Sequence, residues 1–237
     1  MKNILKIVLI ITAVVLGYFV YRSVDGFVDF HNEKMNRYVV AVEQMQDLAL
    51  AEKLYKGYNG EYTDNLDSLK DFIQNGKIYS IIRKDSSAYV FDERKRIDVM
   101  KNFTIIDTVV SPVSVKDSIF GKRSNALENF GYVPVNGEKH PIKLYASFND
   151  RIIGEDSTNI QRDHFFMGTI EKNKVLSGLD QELIGRELAD NTSPIRSDVI
   201  KVGSDSRPSL EGNWSTDVDL ALQAKKDQEK LREMRSK

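Results

Sequence analysis

ILKIVLIITAVVLGYFVY, residues 4–21, holds a single charge, Lys6, in eighteen residues. As a helix rising about 1.5 Å per residue it reaches roughly 27 Å, close to the ~30 Å hydrocarbon core of a bilayer. The stem of Lys6 lets its ammonium reach back to the headgroups. Tyr18, Phe19 and Tyr21 stand where aromatic side chains suit the interface, and Arg22 ends the run. Everything beyond is polar and mixed in charge, so the layout predicts a soluble domain carried on one N-terminal transmembrane helix.

A cleaved secretory signal is the competing reading, and the basic start (Lys2, Lys6) suits both. A signal peptide closes its apolar core with small residues at the cleavage site. Here bulky residues follow Gly17, and Val15-Leu16-Gly17 is the nearest approach to such a site. A retained anchor is therefore expected. Lys2, Lys6 and the terminal amine, against Arg22 offset by Asp25 and Asp29, put the N-terminus in the cytoplasm. The rest then lies outside the membrane, in the periplasm if the membrane is a bacterial inner membrane. With no cysteine, a lipoprotein cysteine and disulfide staples are excluded, and stability rests on burial. The charge balance of 34 basic and 35 acidic residues, without a long basic run, gives no nucleic-acid footprint.

From Val28 to Tyr58 apolar residues recur in helical steps. Ala41, Met45, Leu48, Ala49 and Tyr55 form a stripe interrupted by Glu52, while Glu33, Lys34, Arg37, Glu43 and Lys53 are expected on other, polar faces. Only Gly26 separates this helix from the anchor, so the two read as one rod, straight or kinked, ended by Gly57 and Gly60. A short second helix follows, N-capped by Asp64 or Asn65, with Leu66, Leu69, Phe72 and Ile73 on one face and Asn75-Gly76 as its stop. Strands are expected at 78–83, 88–91, 103–110, 114–120, 140–148, 164–171 and 198–204. Asn136-Gly137 signals a hairpin turn, and Leu179 to Ala189 a short helix. Ser215 to Lys237, dense in mixed charge, reads as an exposed helix or frayed tail outside the core. The expected divisions are 1–22 tip and anchor, 23–76 spine and second helix, 77–214 β-rich head, and 215–237 tail.

ALAEKLYKGYNGEYTDNLDSLKDFI, residues 49–73, resembles the phrase in type IV pilins and type II secretion pseudopilins where the spine helix ends and a short segment follows; Asn59, Gly60, Tyr62, Leu66 and Leu69 carry it. The resemblance covers about the first third of the chain. It implies an α+β fold: an N-terminal transmembrane helix continuing into an amphipathic spine, then a pilin-like antiparallel β-rich head. The chain departs from prepilins at the processing site. Tyr18 follows Gly17, Arg22 stands where a glutamate is usual, and the apolar run precedes the glycine. Cleavage by a prepilin peptidase and classical polymerisation are not expected. Asp107-Thr108-Val109, Asp117-Ser118-Ile119 and Asp156-Ser157-Thr158 resemble O-glycan sites of exported Bacteroidota envelope proteins, and Asn102-Phe103-Thr104 and Asn191-Thr192-Ser193 are sequons.

Catalytic chemistry is not legible. His31, His140 and His164 are far apart in sequence, more in keeping with structural or solvated roles than with a metal or base. There is no Gly-x-Ser-x-Gly, Ser-x-x-Lys site or P-loop, and no pair stands out among 35 acidic residues, Asp98, Asp107 and Asp117 included. No cofactor is expected. The residues expected to meet partners are Met45, Leu48 and Tyr55 on the spine stripe (with burial against the head as the default for that stripe), Trp214, either a core plug or an interface anchor, and Leu220 and Leu231 in the tail. The expected function is that of a non-enzymatic structural or assembly component of an envelope complex. Its partners are the bilayer, through 4–21, and other envelope proteins, with a homo-oligomer left open. An anchored binding or regulatory module and a hydrolase without a readable motif are the rivals.

Overall fold

The structure is a computed structural model that describes residues 2–92, 96–121, 123, 126–152 and 160–235. One helix, α1, runs without a break from Lys2 to Asn59, Gly26 included. Between Ile7 and Tyr21 its large apolar side chains are 46–68 % exposed, none of them covered by the rest of the chain. This helix is long and apolar enough to cross a membrane.

Past Arg37 the same helix becomes the core of the head. Tyr38, Ala41, Val42, Met45, Leu48 and Ala51, spaced by three and four residues, are fully buried. The expectation that the charged residues here take solvated faces is corrected: Lys34 and Glu43 are buried, as is Asp47. A helix with a single apolar stripe lies on a surface; this one is wrapped on several sides, so polar positions are enclosed as well.

Asn65 caps α2 (Leu66–Asn75), its side chain accepting from the N–H groups of Asp67 and Ser68 at 2.9 and 3.2 Å. Leu69 and Ile73 are buried against the spine. The expected strands at 78–83, 88–91 and 103–110 merge into one antiparallel hairpin, β1 (Lys77–Asp92) with β2 (Ile97–Ser114). The strand expected at 114–120 is instead helix α3, Val115–Phe120. Helical spacing buries Val115, Ile119 and Phe120 together and leaves Asp117 exposed, whereas a strand would put Asp117 on the same face as Val115 and Ile119.

After α4 (Ala126–Asn129), β3 (Tyr132–Val135) and β4 (Glu138–Pro141) form a hairpin. Its Asn136-Gly137 turn has φ of 52° and 85°, the doubly positive geometry that this dipeptide accommodates. The 140–148 run divides between β4 and β5 (Lys143–Ile152) at Ile142, whose N–H donates to the Gly131 carbonyl. β5, β6 (Ile160–Glu171) and β7 (Val199–Ser204) make an antiparallel meander. Helices α5 (Lys172–Val175) and α6 (Gln181–Ala189) lie between β6 and β7. Among the described residues the strands thus form three separate antiparallel sheets, β1–β2, β3–β4 and β5–β6–β7, and no single sheet gathers them. The spine, rather than a sheet, is the hub.

The spine approaches β6 at a glycine. A Cβ added to Gly168 would meet Leu48 Cδ2 at 2.8 Å, so the leucine occupies the space a side chain would need. Leu48→Ala empties this enclosed site and is expected to lower stability by about 2–5 kcal/mol. Denaturant unfolding of the full chain in detergent checks it, and an unchanged midpoint overturns the packing described.

The C-terminal segment is also corrected. It forms helix α7 (Thr216–Arg235), which packs along α1 with Val218 and Leu222 buried in the core; Leu220 and Leu231 stay exposed. Two apolar residues four apart suffice to dock one face of a helix whose remaining surface is charged.

Candidate functional site

Four segments, α1, α5, α6 and the turn at 193–195, meet at one buried carboxylate, Glu187 of α6. Lys34 and Tyr38 reach it from adjacent turns of α1: Lys34 Nζ donates to Oε2 at 2.7 Å and the Tyr38 hydroxyl to Oε1 at 2.9 Å. Ser193 Oγ also donates to Oε1. Lys172, the first residue of α5, is 1 % exposed. Its Nζ donates to Ser193 Oγ at 3.1 Å, to the Ile195 carbonyl at 2.8 Å and to the Glu187 carbonyl at 3.2 Å, with Glu187 Oε1 at 3.4 Å.

Burial pushes Glu187 up, but its hydrogen bonds from Lys34, Ser193 and Tyr38 outweigh this and hold the carboxyl below its usual range. Burial and then the Glu187 charge raise the Tyr38 phenol, which stays protonated and donates. Burial draws Lys172 down against the pull of Glu187.

Ser193 and Lys172 have the composition of a serine–lysine nucleophile pair. Three oxygen acceptors around Lys172 Nζ match the three N–H bonds of an ammonium, however, and leave no lone pair directed at Ser193 Oγ. The Ser193 proton is already given to Glu187. In this geometry the cluster acts as a clamp, tying α5, α6 and the 193–195 turn to the spine. A cleft of about 320 Å³ opens beside it, lined by Phe27, Phe30, His31, Leu183 and Arg186 among others.

A second charged cluster faces α3 and α7. Arg123 donates to Glu43 at 2.8 Å and to Asp47 at 2.9 Å, and Lys225 of α7 donates to the other Glu43 oxygen at 2.8 Å. On a third side, Arg37 donates to the Ser177 carbonyl at 2.7 Å and to Asn136 Oδ1 at 3.0 Å, fastening the β3–β4 turn. None of these long-range pairs has a sequence signature. The one available hint was the density of charge within an otherwise apolar helix.

Glu52, the polar interruption in the spine stripe, is fully buried. One oxygen accepts the Thr63 N–H at 3.2 Å and the other has no partner among the described residues. Burial, with a smaller push from Asp64 and against the Thr63 hydrogen bond, moves its acid up to about 8 from 4.5. Because the folded value is raised, the proton's contribution is complete below about 4.5 and is lost as pH rises towards 8. Between those limits the wild type should lose up to about 1.4 kcal/mol per pH unit relative to Glu52→Gln, then level off. Parallel pH profiles of the two proteins would refute this reading.

Of the spine residues expected at a partner surface, Met45 and Leu48 are buried in the protein's own core, as the default for that stripe anticipated, and do not reach a partner. Tyr55 is half-buried, edge-on to Phe72 at 5.3 Å, and with Tyr58 lines an open cleft of about 530 Å³. Trp214 is half-buried on the core, its Nε1–H donating to Asp219 at 2.8 Å. Leu220 and Leu231 are exposed on α7. The three histidines remain apart: His31 is exposed beside the clamp cleft, His140 is half-buried on β4, and His164 packs against Phe148 on the β5–β6 hairpin. Among the described residues no three His, Asp or Glu side chains gather as metal ligands. Asp107-Thr108-Val109 lies in β2 and Asp117-Ser118-Ile119 in α3, while Asp156-Ser157-Thr158 falls outside the described residues. Ser193 of the second sequon is buried in the clamp.

No known protein family, curated protein or solved structure matches this chain.

Proposed function

We propose that this protein is a non-enzymatic, membrane-anchored structural component of an envelope assembly, pilin-like in build, with its N-terminus in the cytoplasm and its head in the periplasm. The observation that carries the reading is the continuity of α1, whose apolar side chains from Ile7 to Tyr21 lie uncovered and whose last third is the core of the head. A helix shared in this way ties the head rigidly to the membrane, and the clamp and the Arg123 cluster fix the other elements to that same helix. Tyr55, Leu220 and Leu231 are the side chains left for envelope partners.

Affinity purification of the full chain from detergent-solubilised native membranes tests this. An assembly component should bring down envelope proteins in fixed stoichiometry, and peptides from the Met1 end should be recovered by mass spectrometry. Recovery of the chain alone, or a mature N-terminus near Tyr18 or Asp25, would overturn it.

A further inference from the structure

The β1–β2 hairpin is unusual for a strand pair in water. Its strands are 16 and 18 residues long, whereas globular strands are mostly about 3–10 residues and an isolated two-stranded ribbon is marginally stable. Among the described residues no other strand pairs with either outer edge. Free edges are ordinarily protected by bulges, prolines, short strands or charged side chains, and β2 keeps only the last of these along its length beyond the base. Here the register shift at Ile78/Ser80 and Pro112 both sit near the base. Beyond them Ser80 to Asp92 pair without interruption with Val109 to Ile97. Towards the tip Tyr89, Ile97 and Met100 are 72 %, 56 % and 56 % exposed.

What the free edge fits follows from backbone parity. In an antiparallel pair, directly opposed residues both turn their N–H and C=O groups towards each other or both turn them away, and this alternates along the strand. When a strand edge pairs with its own copy, opposed residue numbers must therefore be both even or both odd. β2 carries only three charges, Asp98, Lys101 and Asp107. Lys101 and Asp98 differ in parity and cannot oppose each other, whereas Lys101 and Asp107 can, in the register that sets Thr104 opposite Thr104. That register also sets Phe103 opposite Ile105 and Val99 opposite Val109, and two-fold symmetry repeats each unlike pair. Aromatic–β-branched, Thr–Thr and opposite-charge pairs are the cross-strand combinations that stabilise sheets. The same register leaves Asp98 opposite Val110 and Asn102 opposite Ile106. The β1 edge does worse: the register centred on Ala88, which matches Lys84 with Asp92, sets Tyr89 and Val90 opposite serines and Phe91 opposite Asp85, and the one centred on Lys84, which matches Arg83 with Asp85, sets Lys84 opposite itself.

We infer that β2 is a self-association edge, pairing antiparallel with β2 of a second copy of this chain about an axis at Thr104 to form a four-stranded sheet. This goes beyond the assembly role proposed above and stands on the hairpin alone, whether or not α1 crosses a bilayer.

Because the chain has no cysteine, one introduced thiol reports on one position. Full-length Thr104→Cys, Ala88→Cys and Glu182→Cys proteins in detergent are treated with a short bis-maleimide, and linked dimer is measured on denaturing gels. Thr104→Cys should link efficiently, and the other two weakly. Adding Lys101→Asp to Thr104→Cys opposes like charges twice and should lower the linked fraction about tenfold; adding Asp107→Lys as well should restore it. Linking at Thr104 no better than at Glu182, better linking at Ala88, or indifference to the charge exchange each overturns the proposal.

Discussion

Glu187→Ala is expected to destabilise the head by about 3–5 kcal/mol, because it strands buried cations that the carboxylate now neutralises. Lys34 and Lys172 are both nearly inaccessible and meet on the two Glu187 oxygens. The loss belongs to the stranded charge rather than to the pair itself. Replacing Lys34 and Lys172 by methionine together with Glu187→Leu should therefore harm less than Glu187→Ala alone. Denaturant unfolding of the full chain in detergent measures both, and a single substitution shifting stability by under about 1 kcal/mol would mean that water reaches the clamp. The intact clamp should also hold α6 in place, so hydrogen exchange in 181–189 should rise in Glu187→Ala.

Deleting residues 216–237 is expected to cost about 3–6 kcal/mol, the loss from uncovering two fully buried aliphatic side chains. Val218 and Leu222 are those side chains. The deletion also removes Lys225 from Glu43 and the Asp219 acceptor from Trp214. Truncation at 215 should lower the melting temperature clearly, and Leu222→Ala should reproduce part of the drop, whereas Leu220→Ala, on the exposed side, should leave it unchanged. A truncated protein as stable as the full chain would show that α7 does not hold to the spine.

The second of these expectations reverses the sequence reading, for an instructive reason. Composition averages over a helix, and 215–237 averages to a solvated tail. Burial is decided residue by residue, and Val218 and Leu222 are buried where α7 packs along α1. The same averaging misplaced Glu43 and Lys34, which periodicity puts on polar faces but which are enclosed because neighbouring elements cover those faces too. The clamp is illegible in sequence because its members come from separate elements, Lys34 lying 153 residues from Glu187, and each one alone is an ordinary polar residue.

Local signals are legible in the sequence. The Asn65 cap, the Asn136-Gly137 turn, the stop at Asn75-Gly76 and the uninterrupted α1 all follow from interactions within a few residues, where chain connectivity already fixes the geometry. The apolar run at 4–21 likewise needs no partner within the chain to be recognised as a segment unsuited to water. The sequence by itself therefore determined the helical spine, its apolar start and the positions of most turns. Only the tertiary structure decided which charges are buried, that 114–120 is helical, that α7 belongs to the core and that the strands divide among separate sheets. Those outcomes depend on which surfaces meet across long loops, and desolvation, which sets their energy, is a property of the enclosure rather than of any residue.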